Sequence, residues 1–592
     1  MLFPLYMQSG HRTTKNIALI GGGPSALFLF KRLVTAGTKN IRITVFEQGA
    51  QVGAGMPYST EGASEEHVTN VSDNEVPSIV TSIAEWLPTA PPELLERFGI
   101  NPANFNEYKV LPRLLFGAYL SAQFLLLHNQ ALQSGLHTTL CRNTQVTDII
   151  DDAGKQKTTV VTSRGSHTFD AVVICTGHKW PKHHEGKVPG WFDSPYPPAK
   201  LRLSLNEPVA IKGASLTAID AVRTLARANG SFYDLPDGTI GYRLREESKA
   251  FRLVMHSLGG LLPALRVHLA DPLLSPNLVL SPEEIATQMA ANDGFIPLDY
   301  LFECNFKEPL REHDPQFYEQ VKDLTLEAFV DRMMTMREDT DAFTLLKMEY
   351  AEAAASIRKQ QPVFWKEALA MLSFALNYPA KYLSAEDMLR LKQVLMPLVS
   401  VVIAFAPQSA ARELLALHEA GVLTLVPVNR DSKVSPRPGG GALYQYTSED
   451  GSQQSAHYNL FVDCTGQPAL PFEAFPFPSL IAEGVVSEAL LPFRSAKEAT
   501  AQKEEGNANV VLREGQWQLV VPGIAINDAF QVVDRQGKAN PRIHIMAVPY
   551  IGGYNPDYSG LDFCETASGR IAASLLATAK ELLAAESRVE EV

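Results

Sequence analysis

Cysteine is scarce and scattered. Cys141, Cys175, Cys304, Cys464 and Cys564 include no pair at CxxC spacing. That excludes a zinc ribbon and a dithiol redox centre of the usual spacing, and it fits a reducing compartment. Long apolar runs are missing too. The most apolar stretch, LMPLVSVVIAFAP, is bounded by Pro397 and Pro407, shorter than the roughly 20 residues a membrane-spanning helix needs. The opening MLFPLYMQSGHRTTKN carries no charged n-region and no convincing cleavage site, so no secretory signal is expected. Basic charge is in deficit: 52 Lys and Arg against 65 Asp and Glu give a formal net charge of -13. Such a surface repels phosphate backbones and argues against a nucleic-acid partner. G-x-S-x-G and H-E-x-x-H are absent, which removes the commonest serine-hydrolase and zinc-protease signatures. The histidines of GHKWPKHHEG, His178, His183 and His184, form no recognisable ligand set, and no metal is expected. These absences leave a cytoplasmic chain that acts on small molecules, away from membranes.

What is present begins with size. At 592 residues the chain exceeds what one core supports, so two or three domains are expected. Its 45% hydrophobic and 20% charged content is that of a folded globular protein. An apolar run from Ile17 to Ile20 precedes GGGPSA, then a helical pattern, LFLFKRLVTAG, closed by Gly37, then IRITVFE ending in Glu47. This is G-x-G-x-x-A in the order strand, turn, helix, strand, acid, the signature of a dinucleotide site. Gly21 permits the tight turn, Gly23 lets backbone approach a pyrophosphate, and Ala26 lets the helix pack close to the strand. Pro24 and Ser25 open the helix, whose N–H groups face the phosphates. Glu47 would accept hydrogen bonds from an adenosine ribose lacking a 2′-phosphate. The loop QVGAGMPYS, with Gly53 and Met56, then HVTN, suits a longer, flatter ligand, favouring FAD over NAD. Arg113 opens the helical pattern of VLPRLLFGAYL, where a phosphate or carboxylate contact and an ordinary salt bridge are equally good readings.

The pattern recurs in outline. PVAIKGASLTAIDAVRTLARANG offers Gly213, Ser215 and Ala218 at the motif positions, a helix closed by Gly230, and FRLVMHS as the next strand. Two stretches, FDAVVICTGH and YNLFVDCTGQ, end alike in Cys-Thr-Gly, and each follows a meander of strands. Two dinucleotide-binding units explain the repeat, with Thr176 and Gly177 ending one such strand beside the nucleotide. The second site is less well made. Ser215 carries a Cβ where glycine allows closer approach, and neither acid nor Arg ends the strand at His256–Ser257. NADPH, NADH and a Rossmann-like unit without nucleotide therefore stay open. VSPRPGGG reads as a mobile hairpin tip. The predicted architecture is α/β, two Rossmann-like dinucleotide-binding domains with a helical insertion. Residues 1–205 and 467–592 form the FAD domain, 206–269 and 401–466 the NAD(P)-type domain, and 270–400 the insertion over the active-site cleft.

IALIGGGPSALFLF, FEQGAQVGAGMPYS, VLPRLLFGAYL, VVICTGHKWP, GASLTAIDAV, ARELLALHEAGVL and VDCTGQPAL resemble, over nearly the whole chain, the bacterial FAD–NAD(P)-binding proteins. That family includes a flavin-dependent urate hydroxylase and a nitrosuccinate-forming aspartate N-monooxygenase, and it is more distantly similar to ornithine and lysine N-hydroxylases. The resemblance implies that Gly21, Gly23, Ala26 and Glu47 hold the FAD adenosine and pyrophosphate. Gln48, Met56, Asn70 and Arg113 match positions near flavin or its phosphates, and Gly213, Ser215 and Thr217 match the nicotinamide-nucleotide turn. Pro24, Ser25, Gly53, Val146, Thr176 and Gly177 complete the cofactor candidates; Asn70, Tyr58 and His178 are the catalytic ones. Two departures stand out: MAVPYIGGYNPDYSGLDFCETASG replaces a segment that often carries Gly-Asp or Gly-Pro, and the second unit lacks the usual Arg after its strand. The implied activity is hydroxylation of a small polar, anionic metabolite by reduced FAD and O2, with NADPH or NADH as reductant. Alternatives are hydride transfer without oxygen insertion, a component reduced by a separate flavin reductase, and a nucleotide-binding scaffold.

Overall fold

Two glycine turns, far apart in the chain, each follow a buried strand and each seed a parallel sheet. The computed structural model describes residues 14–271, 279–557 and 560–589, so most of the opening stretch examined for a signal lies outside it. In chain order, β1 (Lys15–Ile20) passes through α1 (Pro24–Thr35) to β2 (Ile41–Phe46). After a long excursion come α2 (Arg113–Gln133), β3 (His137–Cys141), a three-stranded meander and β4 (Ala171–Ile174). The second unit repeats the plan with β5 (Pro208–Lys212), α3 (Leu216–Asn229) and β6 (Arg252–Leu258). A block of helices then precedes α4 (Gln408–Glu419), β7 (Leu423–Val428), a second meander and β8 (Leu460–Asp463). The chain returns to the first sheet with β9 (Ala539–Ile545) and α5 (Leu561–Val589).

The first sheet runs in the order Gln531–Val533, β9, β4, β1, β2, β3, parallel except at its first pair. The second runs Trp191–Phe192, β8, β5, β6, β7, parallel throughout. Central strands covered on both faces need no polar alternation. Ile17–Ile20 and Ala171–Ile174 are accordingly apolar and buried, and α1 packs along α5.

The recurring Cys-Thr-Gly has the same structural cause in both sheets. Cys175 N–H donates to the Ile20 carbonyl and Cys464 N–H to the Lys212 carbonyl, each at 2.8 Å. Gly21 N–H donates to the Phe46 carbonyl and Gly213 N–H to the His256 carbonyl, again at 2.8 Å. Gly21 (φ +102°) has room only for hydrogen, because a Cβ would lie 2.6 Å from the Cys175 carbonyl oxygen; Gly213 (φ +106°) meets the Cys464 carbonyl oxygen at 2.8 Å. Each Cys-Thr-Gly is thus the wall behind a glycine turn. Burial pushes both thiols well above the ordinary cysteine range, so they are inert wall rather than nucleophiles.

The helical block packs around Phe302, Phe306, Phe329 and Leu372. Its core is completed from far along the chain by the antiparallel strands Glu488–Pro492, Val510–Arg513 and Gln516–Ile524, through Leu491, Val510 and Leu519. No helix among the described residues is long and apolar enough to cross a membrane. Gly230 closes α3 as expected, capping it in extended conformation and leading directly into a strand. Glycine is required there because a Cβ would lie 2.3 Å from the Tyr242 hydroxyl. The VSPRPGGG tip is anchored rather than loose: Lys433–Pro436 pairs with Ala442–Thr447, and Gly441 N–H donates to the Pro189 carbonyl at 2.7 Å.

Gly117, one turn into α2, lets the loop after β2 lie directly on the helix, since a Cβ there would meet the Tyr58 carbonyl oxygen at 2.0 Å. Gly117→Ala should cost about 1–3 kcal/mol in urea unfolding through overpacking. Gly439→Ala, with nothing within 4 Å of its Cβ position, should leave the midpoint in place.

Candidate active site

Both glycine turns open onto one cavity of about 2650 Å³. Single-ligand pockets usually span about 300–1,000 Å³, so this space accommodates more than one ligand. At the first turn Glu47 bridges backbone: Gly22 N–H donates to its Oε2 at 2.7 Å and Gly49 N–H to its Oε1 at 2.6 Å. Gly23 is the N-cap of α1 and Pro24 its first residue, and no side chain caps the helix. Its first N–H groups are left for a ligand, and the helix dipole makes that ligand anionic. Two buried hydroxyls on the cavity wall, Thr176 Oγ1 and Ser121 Oγ, have no hydrogen-bond partner among the described residues. Buried polar atoms in folded proteins are almost always paired. An uncapped helix start, a bridged acid and orphaned hydroxyls on one wall are what an extended dinucleotide fits, and FAD would lie here.

Most of the expected residues meet at this cavity. Gly21, Gly23, Pro24, Ser25, Glu47, Gln48, Met56, Val146, Thr176 and Gly177 line its first part; Gly213, Ser215 and Thr217 line its second. Asn70, Tyr58 and His178 face it between the two. Two candidates do not line it. Ala26 is fully buried beneath the turn, where its small side chain serves helix-to-sheet packing. Gly53 (φ +93°) donates to the Gly22 carbonyl at 2.6 Å, and a Cβ on it would lie 2.5 Å from the Leu120 carbonyl oxygen. It seats the loop between the glycine turn and α2.

Arg113 reaches the cavity wall, but its charge is committed across the two units. Its Nη1 donates to Asp220 Oδ2 at 2.5 Å and its Nε to the Val68 carbonyl at 2.9 Å. The Tyr196 hydroxyl donates to the same Asp220 oxygen at 2.7 Å. His67 Nε2 lies 3.1 Å from both the Asp220 carbonyl and Thr224 Oγ1, and Thr224 donates to Glu66 at 2.6 Å. Burial opposes ionisation of Asp220, yet the Arg113 guanidinium and the Tyr196 hydroxyl outweigh it and hold the carboxyl below the usual range. Burial keeps His67 neutral. The sequence hinted at this network only through an Asp set among the buried Ala218, Ile219, Ala221 and Val222 of α3. Its partners are contributed by the other unit.

A second buried cation shapes the strand that carries Asn70. Arg266 donates to the Asn70 carbonyl and to Ser72 Oγ, both at 2.7 Å, and pairs with Glu75. Asn70 therefore presents its side chain from a backbone held on its far side. Burial pushes the Tyr58 phenol up to about 12, and its ring packs edge-on against Phe116. Burial lowers His178 to about 4. At neutral pH Tyr58 is a hydrogen-bond donor rather than a base, and His178 is an uncharged imidazole. The opposite wall comes from the helical block and the segment leading to it: Leu269, Met396, Val399, Ile403 and Phe405 face the cavity. Elsewhere in the loop after β4, Asp193 Oδ2 accepts from the backbone N–H groups of His183, His184 and Glu185. Among the described residues no group of three or more His, Cys, Asp or Glu is placed to hold a metal ion.

Residues 18–179 match the family described as FAD-NAD(P)-binding, and residues 281–403 match the YdhS-like middle domain. The protein YdhS of Escherichia coli strain K12 is 28% identical over 469 residues, covering 79% of this chain and 86% of its own. Among solved structures, an ornithine N-hydroxylase from Kutzneria sp. 744 is 14% identical with a TM-score of 0.45, covering 95% of this chain and 99% of that one. The bacillithiol disulfide reductase of Staphylococcus aureus is 11% identical with a TM-score of 0.40, covering 96% and 99%. Likenesses this distant decide nothing about substrate. Residues 18–179, which carry the first glycine turn, are thus similar to an FAD-NAD(P)-binding domain, and the helical block over 281–403 is similar to a YdhS-like middle domain.

Asp220→Asn should destabilise the protein by about 3–5 kcal/mol, because a buried Arg113 is left without its counter-charge. The Asp220 carboxyl is held below its ordinary value, so its contribution is complete above about pH 3.9 and fades as pH falls through the lower folded value. Urea unfolding of both proteins should show the full gap at pH 7 and a shrinking gap in acid.

Proposed function

We propose that the protein is an FAD-dependent monooxygenase that draws electrons from a nicotinamide nucleotide and hydroxylates a small polar, anionic metabolite. The observation that carries this reading is the single cavity shared by two dinucleotide turns and closed by an apolar wall from the middle domain. Bound flavin supplies two electrons from the nicotinamide to O2, so that one oxygen atom enters the substrate and the other leaves as water. The chain's own residues do the rest. Glu47 and the start of α1 bind the adenosine and diphosphate. Tyr58 donates a hydrogen bond from a phenol that stays protonated, and Asn70 offers an amide at the junction of the two units. The middle-domain wall, with Met396, Val399 and Phe405, keeps bulk water from the reacting edge.

Lys179 supports an anionic substrate. It faces the cavity and makes no ion pair among the described residues, while its backbone is clamped to Gln467. The two loops that follow the paired Cys-Thr-Gly strands thus hold one another and present this ammonium at their junction. Hydride transfer through a dithiol relay finds no support, since the five cysteines are unbridged and burial raises Cys175, Cys464 and Cys564.

The purified protein should carry FAD and show flavin absorption, and Glu47→Ala should weaken FAD by about 10–100-fold through loss of charge-assisted hydrogen bonds. Anaerobic titration with NADPH and NADH should bleach the flavin. In air, O2 uptake should match hydroxylated product when a panel of small carboxylates and amino acids is screened. Bleaching only with an added flavin reductase would move electron supply to a partner protein. A protein that takes up no FAD, or turnover with an organic acceptor in place of O2, would overturn the reading.

A further inference from the structure

We infer that the second unit selects a 2′-phosphorylated dinucleotide and that Arg430, beyond β7, holds the phosphate. This rests on the reading that the second unit takes the nicotinamide nucleotide. The two sheets supply a common ruler. Ile20 pairs with Phe46 in the first and Lys212 with His256 in the second, so Ser257 stands where Glu47 stands. In the first unit that position is an acid, which would repel a phosphate on the ribose. In the second it is a neutral hydroxyl already donating to the Leu261 carbonyl at 2.7 Å.

His256 is equally unavailable. Its ring stacks on Tyr444 at 3.8 Å and 11°, with Tyr446 and Tyr458 at its edges. It is buried and uncharged in that box. The end of β6 therefore offers no acid against a phosphate and no cation for it.

The cation comes from the neighbouring strand. Phe46 pairs with Cys141 and His256 with Val426. Counting equally from those partners, Gln145 in the first unit corresponds to Arg430 in the second. Gln145 lines the first half of the cavity; Arg430 lines the second, beside Ser257, Asn429 and Ser432. Arg430 is exposed and has no ion pair or hydrogen bond among the described residues. Lys212, the other cation on this wall, is already paired with Asp463 at 3.2 Å. In a chain of net charge -13, an uncommitted guanidinium at the mouth of a glycine turn suits bidentate capture of a phosphate.

Isothermal titration of the FAD-loaded protein with adenosine 2′,5′-bisphosphate and with AMP tests this without turnover. Wild type should bind the bisphosphate about 10–100-fold more tightly, the range expected for a charge-assisted contact. Arg430→Ala should abolish that gap while AMP affinity and melting temperature hold, and Arg430→Lys should restore part of it. Equal affinity of wild type for the two probes, or an equal loss of both in Arg430→Ala, would overturn the inference while leaving a nucleotide site in the second unit. Binding of neither probe would overturn it together with the reading on which it rests.

Discussion

At each of the two sites a carbonyl oxygen occupies the space that a β-carbon would need. The Cys175 carbonyl presses on Gly21 and the Cys464 carbonyl on Gly213, and the rest of each site follows from that crowding. Only hydrogen fits, so the chain turns at once and the next helix begins with its amide groups bare. Those amides and the helix dipole then define where a diphosphate lies. The adjacent strand is held in register by the glycine's own N–H, which fixes the residue, Glu47 or Ser257, that stands at its end. One steric constraint thus sets the tight turn, the bare amides and the residue that stands beside them at the end of the next strand.

The two units are not independent modules hung on a linker. Arg113, at the start of α2, and Asp220, inside α3, share a buried ion pair with Tyr196 and His67 packed around it. Arg266 reaches from the second unit to the strand that carries Asn70. Paired buried charges add little net stability compared with a well-packed apolar contact, but they tolerate few alternative alignments. Here they tie the unit that carries one glycine turn to the unit that carries the other. The middle domain closes the third side with side chains that carry no charge.

Local order was legible in the sequence and long-range partnership was not. The strand–turn–helix–acid run around Gly21, the weaker echo at Gly213 and the paired Cys-Thr-Gly strands all depend on neighbours within a few residues, and the structure places them as read. Arg113 was read as a phosphate contact or a surface pair because its partner, Asp220, lies in another unit. Gly53 was grouped with the ligand contacts because a glycine demanded by a helix carbonyl looks, in one dimension, like one demanded by a phosphate. The strands between Glu488 and Ile524 gave no sign that they finish the core of a helical block far upstream. Arg430 is illegible for the same reason: it lies far along the chain from the turn, and only the sheet brings the end of β7 beside the end of β6.

The first sheet is split across the chain. Its strand β4 waits for β9, and α1 waits for α5, while the whole second unit and the middle domain are made in between. A ribosome delivers the chain from its amino end, so the glycine turn at Gly21 emerges before β9 and α5, against an unfinished core. The partners that complete its hydrophobic surroundings arrive only after the second unit and the helical block have been synthesised. Closure of the first unit's core is therefore a later event in synthesis than closure of the second unit's sheet, although its glycine turn is made first.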